Sequence, residues 1–146
     1  MSDLHTVLGA VAIALNALAA LVGAGAWLAR RNPRVFWIAL RAGQVLVALE
    51  AVGGAALLLS GDDLPRLHLV YGLTPIAVSF LAEQLRFTAT PTLLEQRGLS
   101  GGADVAKLPK PEQHALVAAI LRREIAVMAT SAAIVTFLLL RAQGWL

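Results

Sequence analysis

The chain contains no cysteine, so no disulfide, thiolate metal site or thiol nucleophile is open to it. Charged residues are only 14% and aromatic residues 5% of its length, where a soluble domain carries about a quarter charged residues. Catalytic signatures are missing as well. There is no P-loop, no GxSxG elbow, no HExxH pair and no cluster of carboxylates at metal-ligand spacing. No catalytic or metal-binding residue is therefore assigned, and an accessory or binding role is favoured over an enzymatic one.

What fills the chain instead is apolar: 58% of its 146 residues are hydrophobic, with a mean hydropathy of +0.74. These values point to one integral membrane domain of the all-α class. Ala, Leu, Val and Gly dominate, and such small residues let membrane helices approach closely. "GAG" at 23–25 and "GG" at 53–54 read as packing or flexing points rather than phosphate cradles. The net charge of +3 and pI near 10.2 would also suit a nucleic-acid binder. The Lys and Arg residues, however, stand between apolar runs instead of along one soluble face, which excludes nucleic acid as a partner.

Four spans are expected, at about 4–29, 35–59, 66–89 and 115–143, where a bilayer requires roughly 20 residues; the fourth apolar run itself, Ile125 to Leu140, is short, so its flanking residues must help it cross. They predict a four-helix transmembrane bundle of up-down topology. The first run lacks a preceding Lys or Arg and is too long for a cleaved secretory signal, so it is read as a retained span. Pro33 breaks the chain in "RRNPR". "SGDDLP" (60–65) is a polar turn in which Gly61 ends one helix and Asp62 or Asp63 caps the next. The third connection, about 90–111, carries Thr90-Pro91 as N-cap and first residue of a short helix ending at Gly98. Ser100-Gly101-Gly102 is its most flexible point. Nine Lys and Arg residues lie in or beside the first and third connections, against Arg66 and Arg141 at the second connection and the termini. By the positive-inside rule both termini face outward and the long connection is cytoplasmic. Trp145 and Tyr71 suit the outer interface, Trp27, Phe36 and Trp37 the inner one.

The polar residues inside the runs are the functional candidates. Counting depth from Ser60 and Pro65 sets Arg41 level with Glu83, predicting an interhelical ion pair that Arg86, Arg123 and Glu124 can join. Glu50 is deeper. Asn16, Gln44 and Thr74 complete an intramembrane polar set with it, in which Glu50 bonds to Asn16 or to a carbonyl freed by Pro75. His5 and His68 share a depth on different helices, the arrangement that ligates a b-type haem; with Tyr71 they form a candidate haem or quinone site. His114 is expected to be solvated.

Three stretches together, "FWIALRAGQVLVALEAVGG", "LHLVYGLTPIAVSFLAEQLR" and "LRREIAVMA", resemble an uncharacterised family of small four-span membrane proteins of high-GC bacteria, especially actinobacteria. The resemblance covers nearly the whole chain. It implies a bacterial cytoplasmic (inner) membrane and no particular activity. Arg41, Gln44, His68, Tyr71, Gly72, Glu83, Arg86, Arg123 and Glu124 fall within its motifs. Three functional expectations follow: an accessory or binding subunit that docks on another membrane protein or on itself, a proton-coupled or small-solute transporter using Glu50 and Asn16, or a haem- or quinone-binding redox module.

Overall fold

A computed structural model describes residues 2–61 and 65–145. Every element among them is helical: α1 (Ser2–Leu28), α2 (Arg34–Leu59), α3 (Arg66–Phe87), α4 (Ala89–Gln96), α5 (Gly102–Lys107) and α6 (Lys110–Ala142). The expected caps Asp62 and Asp63 lie outside the described residues.

The helix ends share one device. Schellman closures end α4 and α6 with Gly98 (φ 67°) and Gly144 (φ 71°) in the left-handed region. In α4 the Leu99 N–H reaches the Leu94 carbonyl at 2.9 Å, and in α6 the Trp145 N–H reaches that of Leu140 at 3.0 Å. The same closure ends α1, where the Arg31 N–H donates to Ala26 O at 2.9 Å. There the left-handed position is filled by Arg30, at φ 54°.

α1, α2 and α6 are long and apolar enough to cross a membrane. α3 has the length, 22 residues, but Arg66, His68, Glu83 and Arg86 keep it below the same apolar standard. Four helices of span-like composition were expected; three have it. α6 runs 33 residues, about 50 Å, and so begins five residues before the expected span. Pro111 sits in the helix's first turn, where no N–H is needed. α4 likewise starts before Thr90: Thr88, one residue after α3 ends, stands at its N-cap position without a side-chain cap, its hydroxyl donating back to Leu85 O at 2.9 Å. α5 occupies part of the connection expected to be flexible.

α1 and α6 form the centre. α2 packs on α1, α3 packs on α6, and α2 and α3 meet each other over little surface. Close contacts set an antiparallel register between α1 and α2. A Cβ on Gly43 would stand 2.7 Å from Asn16 Nδ2, and one on Gly23 would stand 2.6 Å from the Phe36 ring. Gly23 is also where α6 closes in, its hypothetical Cβ falling 2.7 Å from that of Ala129. Phe36, Leu40, Ile125 and Met128 fill the core beside it. Nearer the α1 N-terminus a second cluster gathers Ala12, Ile13, Val47, Val135 and Leu139. In lipid, apolar side chains gain nothing by leaving water, so such dispersion contacts are what hold helices together. The buried face of α2 is Phe36, Ala39, Leu40, Gly43 and Val47. It stops there: no residue in the last three turns of α2 is fully buried, though Glu50 still reaches His5 of α1.

Candidate functional site

Polar side chains gather at two levels between α2 and α3. At the level of the α2 N-terminal half, Glu83 of α3 is the hub. Its Oε1 accepts from Arg41 Nη1 and, at 3.2 Å, from Gln44 Nε2; its Oε2 accepts from Arg86 Nε at 2.9 Å and from Arg41 Nη2 at 3.4 Å. Arg41 Nη1 also donates to Gln44 Oε1 at 2.7 Å, and Arg86 Nη1 lies 3.8 Å from Glu124 of α6. Both carboxylate oxygens are thus used by charged donors, the strongest kind of hydrogen bond. Arg41 and Glu83 can meet because α2 and α3 are joined by a short turn, which makes equal counts from it equal depths. Arg123 is not part of this cluster: it is exposed on another face of α6.

At the other level, His5 Nδ1 stands 2.6 Å from Glu50 Oε2. His68 of α3 lies beside them, its ring in edge contact with His5 at 5.9 Å between centroids. His68 Nδ1 is 2.9 Å from the Ala142 carbonyl. A carbonyl has no proton to give, so Nδ1 is the donor in this contact. His5 and Glu50 are within hydrogen-bond distance of each other, on different helices. These groups line a cavity of about 130 Å³ between α2 and α3, with Gly54 and Gly72 on its walls and Gln143 beside Gly9 at its floor. Val47 separates it from a second cavity of about 240 Å³ that reaches Gln44, Ser79 and Glu83.

The expected set of Glu50, Asn16, Gln44 and Thr74 is therefore corrected, because the structure divides it. Asn16 is buried against Gly43 and donates to its own helix, at Ala12 O, 2.8 Å away. Gly43 is seven residues, about 10 Å, from the level of Glu50. The two depths were counted from Leu4 and Ser60, and α2 extends beyond the start of α1, so the two origins are not level. Gln44 belongs to the Glu83 cluster, and Thr74 Oγ1 donates to Val70 O within α3. The partner of Glu50 is His5, a residue the depth count had assigned to a separate site.

Tyr71 also leaves its expected group, since its ring packs under the Arg141 guanidinium at 5.6 Å. The fit of a haem between His5 and His68 can be tested directly. Their rings touch edge to face, and the neighbouring space is about 130 Å³, where cofactor-sized pockets hold about 300–1,000 Å³. A macrocycle does not fit between these imidazoles, nor a quinone in this cavity. The space suits about four waters or a single side chain. His114 is exposed on the first turns of α6. Sequence reasoning did not single out Gly9 and Gln143; a glycine one helical turn after His5 was the available signal.

No protein-family model matches the chain, and neither a curated protein nor a solved structure does so.

Proposed function

We propose that the chain is a four-span, up-down protein of a bacterial inner membrane, with both termini outside, that serves as a non-enzymatic binding subunit. Its working surface is the crevice between α2 and α3, which receives a transmembrane helix of another membrane protein or of a second copy. The fourth span is α3, and its distribution of polarity supports this. Leu67, Leu73, Phe80 and Leu85 are exposed, while His68, Glu83 and Arg86 turn toward the other helices. A helix with its apolar face outward is suited to lipid. The weighting of Lys and Arg toward the first and third connections favours the orientation.

The observation that carries the binding role is the crevice itself. A Cβ placed on Gly54 or Gly72, which line it, would have no neighbour within 4 Å. In a chain whose close helix contacts use Gly23 and Gly43 against neighbours, these two keep a backbone surface open to close approach. The cavity between them takes one side chain of the partner, beside the His5–Glu50 pair. The absence of cysteine makes the test clean. Gly54→Cys in membranes, oxidised mildly, should give one discrete cross-linked product. A variant that stays monomeric, in a protein that copurifies with nothing, would sink the docking role.

A second reading is proton handling, and the close contact of two titratable groups, His5 and Glu50, next to His68 favours it. Asn16 drops out of it, being about 10 Å further in. Proteoliposomes would then pass protons or a small solute, and Glu50→Gln would abolish the flux; equal flux in the variant would end that reading.

A further inference from the structure

At the end of the bundle away from the crevice, α1 and α6 enclose a groove of about 700 Å³. Its polar lining is Arg30, Arg31, Arg122, Arg123 and Asn32, and five of its eight apolar lining residues are alanine. Among the described residues, no carboxylate lies within ion-pair distance of any of these four arginines. Glu124, next in the chain, turns instead to Arg86. Arg122 stacks its guanidinium on Trp27, 5.0 Å from the ring centroid. Its Nε is sealed from solvent with no hydrogen-bond partner, and a charged donor left in that state is costly unless something completes it.

Arg30 supplies an independent observation. Among the described residues, α1, α4 and α6 end in the same closure; α4 and α6 put glycine at the left-handed position and α1 puts Arg30 there. A side chain in that conformation is strained where glycine is not. Orientation by positive charge accounts for arginine on this side of a membrane, but it needs neither a left-handed arginine nor an unpartnered Nε. We infer that this groove binds a phosphate-bearing anion, held by Arg30, Arg31 and Arg122 with its apolar remainder along the alanine wall. The phosphate can come from an anionic phospholipid headgroup or from a soluble phosphate ester; the apolar wall and the depth at the inner interface favour the lipid. This choice of source rests on the membrane reading above.

Native mass spectrometry of the full chain in mild detergent tests the proposal, with phosphatidylglycerol and phosphatidylcholine of matched chain length as probes and sn-glycerol 3-phosphate as the soluble arm. One phosphatidylglycerol should be retained per chain, about tenfold more tightly than phosphatidylcholine, and Arg31→Gln with Arg122→Gln should bring the two lipids level. Arg30→Gly separates binding from folding: it should raise the melting temperature while weakening retention of the anionic lipid. Retention of the two lipids to the same extent by the unaltered protein, or undiminished preference in the double variant, overturns the site. Arginine-dependent binding of glycerol phosphate that displaces the lipid keeps the phosphate site and overturns the lipid as its source. A chain that resists alkaline extraction from membranes yet prefers no anion loses this site alone. A chain released by alkali that still binds glycerol phosphate through these arginines loses the membrane reading alone.

Discussion

The two polar levels between α2 and α3 use the same residue types to opposite ends. Around Glu83, four donor groups from Arg41, Gln44 and Arg86 converge on one carboxylate, and Arg86 ties that knot to α6. Around Glu50 the carboxylate has one close partner, His5, and a cavity beside it. The first is closed and holds helices together. The second is left open where α2 stops burying residues. A carboxylate in a membrane helix is thus not by itself a sign of function; the number of its partners and the space around it separate clamp from site.

The largest way to break this contrast is to remove each carboxylate in turn. Glu83→Ala leaves Arg41 and Arg86 without their shared acceptor. Breaking a buried pair costs about 3–5 kcal/mol, and the partial exposure of Arg41, 45% of its side chain, reduces the expected loss to about 2 kcal/mol. Reversible unfolding in mixed micelles, followed by circular dichroism, measures it. A loss no larger than that of Glu50→Gln would erase the distinction.

Glycines sharpen it next. Gly23→Ala drives a methyl group into Phe36 and Ala129 and should cost about 1–3 kcal/mol as overpacking. Gly54→Ala, in open space, should change the same unfolding curve by less than about 1 kcal/mol and toward stability, since alanine is the better helix former. Matching losses at the two positions would mean that the crevice is filled within the monomer.

Glu50→Gln comes third. Interhelical hydrogen bonds in membranes average about 0.6 kcal/mol, so the variant should fold with a loss of that order. Any larger effect should appear in cross-linking or flux. A collapse of stability would make Glu50 a second clamp.

The smallest effect lies outside both levels and serves as a control. Asp104 of α5 accepts from Lys107 Nζ at 3.0 Å and from the Ser100 N–H at 3.0 Å. The Lys107 ammonium first, and then the Ser100 bond, hold its carboxyl below the usual range. A depressed folded value means the stabilisation is complete above the ordinary carboxyl pKa, about 3.9, and drains as pH falls through the folded one. With the intrinsic pH dependence of exchange divided out, amide exchange of residues 102–107 should be unchanged between neutral pH and about pH 5 and should quicken below about pH 4. Asp104→Asn should reproduce the quickening at neutral pH. Neither change should reach the Glu83 cluster.

How much of this was legible in the residues depends on the distance between the counted position and a shared landmark. Arg41 and Glu83 are counted from the two ends of one short turn, so their levels agree and their contact is foreseeable. Asn16 and Glu50 are counted from the free start of α1 and the end of α2, which nothing forces into line. The resulting offset moved Asn16 to Gly43 and brought His5 to Glu50. α5 was hidden because Gly101-Gly102 reads as a break, while its stabilising contact, Ser100 to Asp104, spans only one turn. The basic groove was hidden for a different reason: positive-inside charge explains arginines at 30, 31, 122 and 123 individually, so nothing in their spacing announces a shared cavity.

Composition and periodicity alone determined that this chain is helical, apolar and without thiol chemistry, because those properties belong to single residues and to runs one or two turns long. Tertiary structure alone decided which polar residues meet, that α2 and α3 part above Val47, and that Arg30 holds a strained position beside Arg122. Contacts between helices depend on their relative sliding and tilt. A shift of a single turn, about 5.4 Å, is enough to exchange one partner for another.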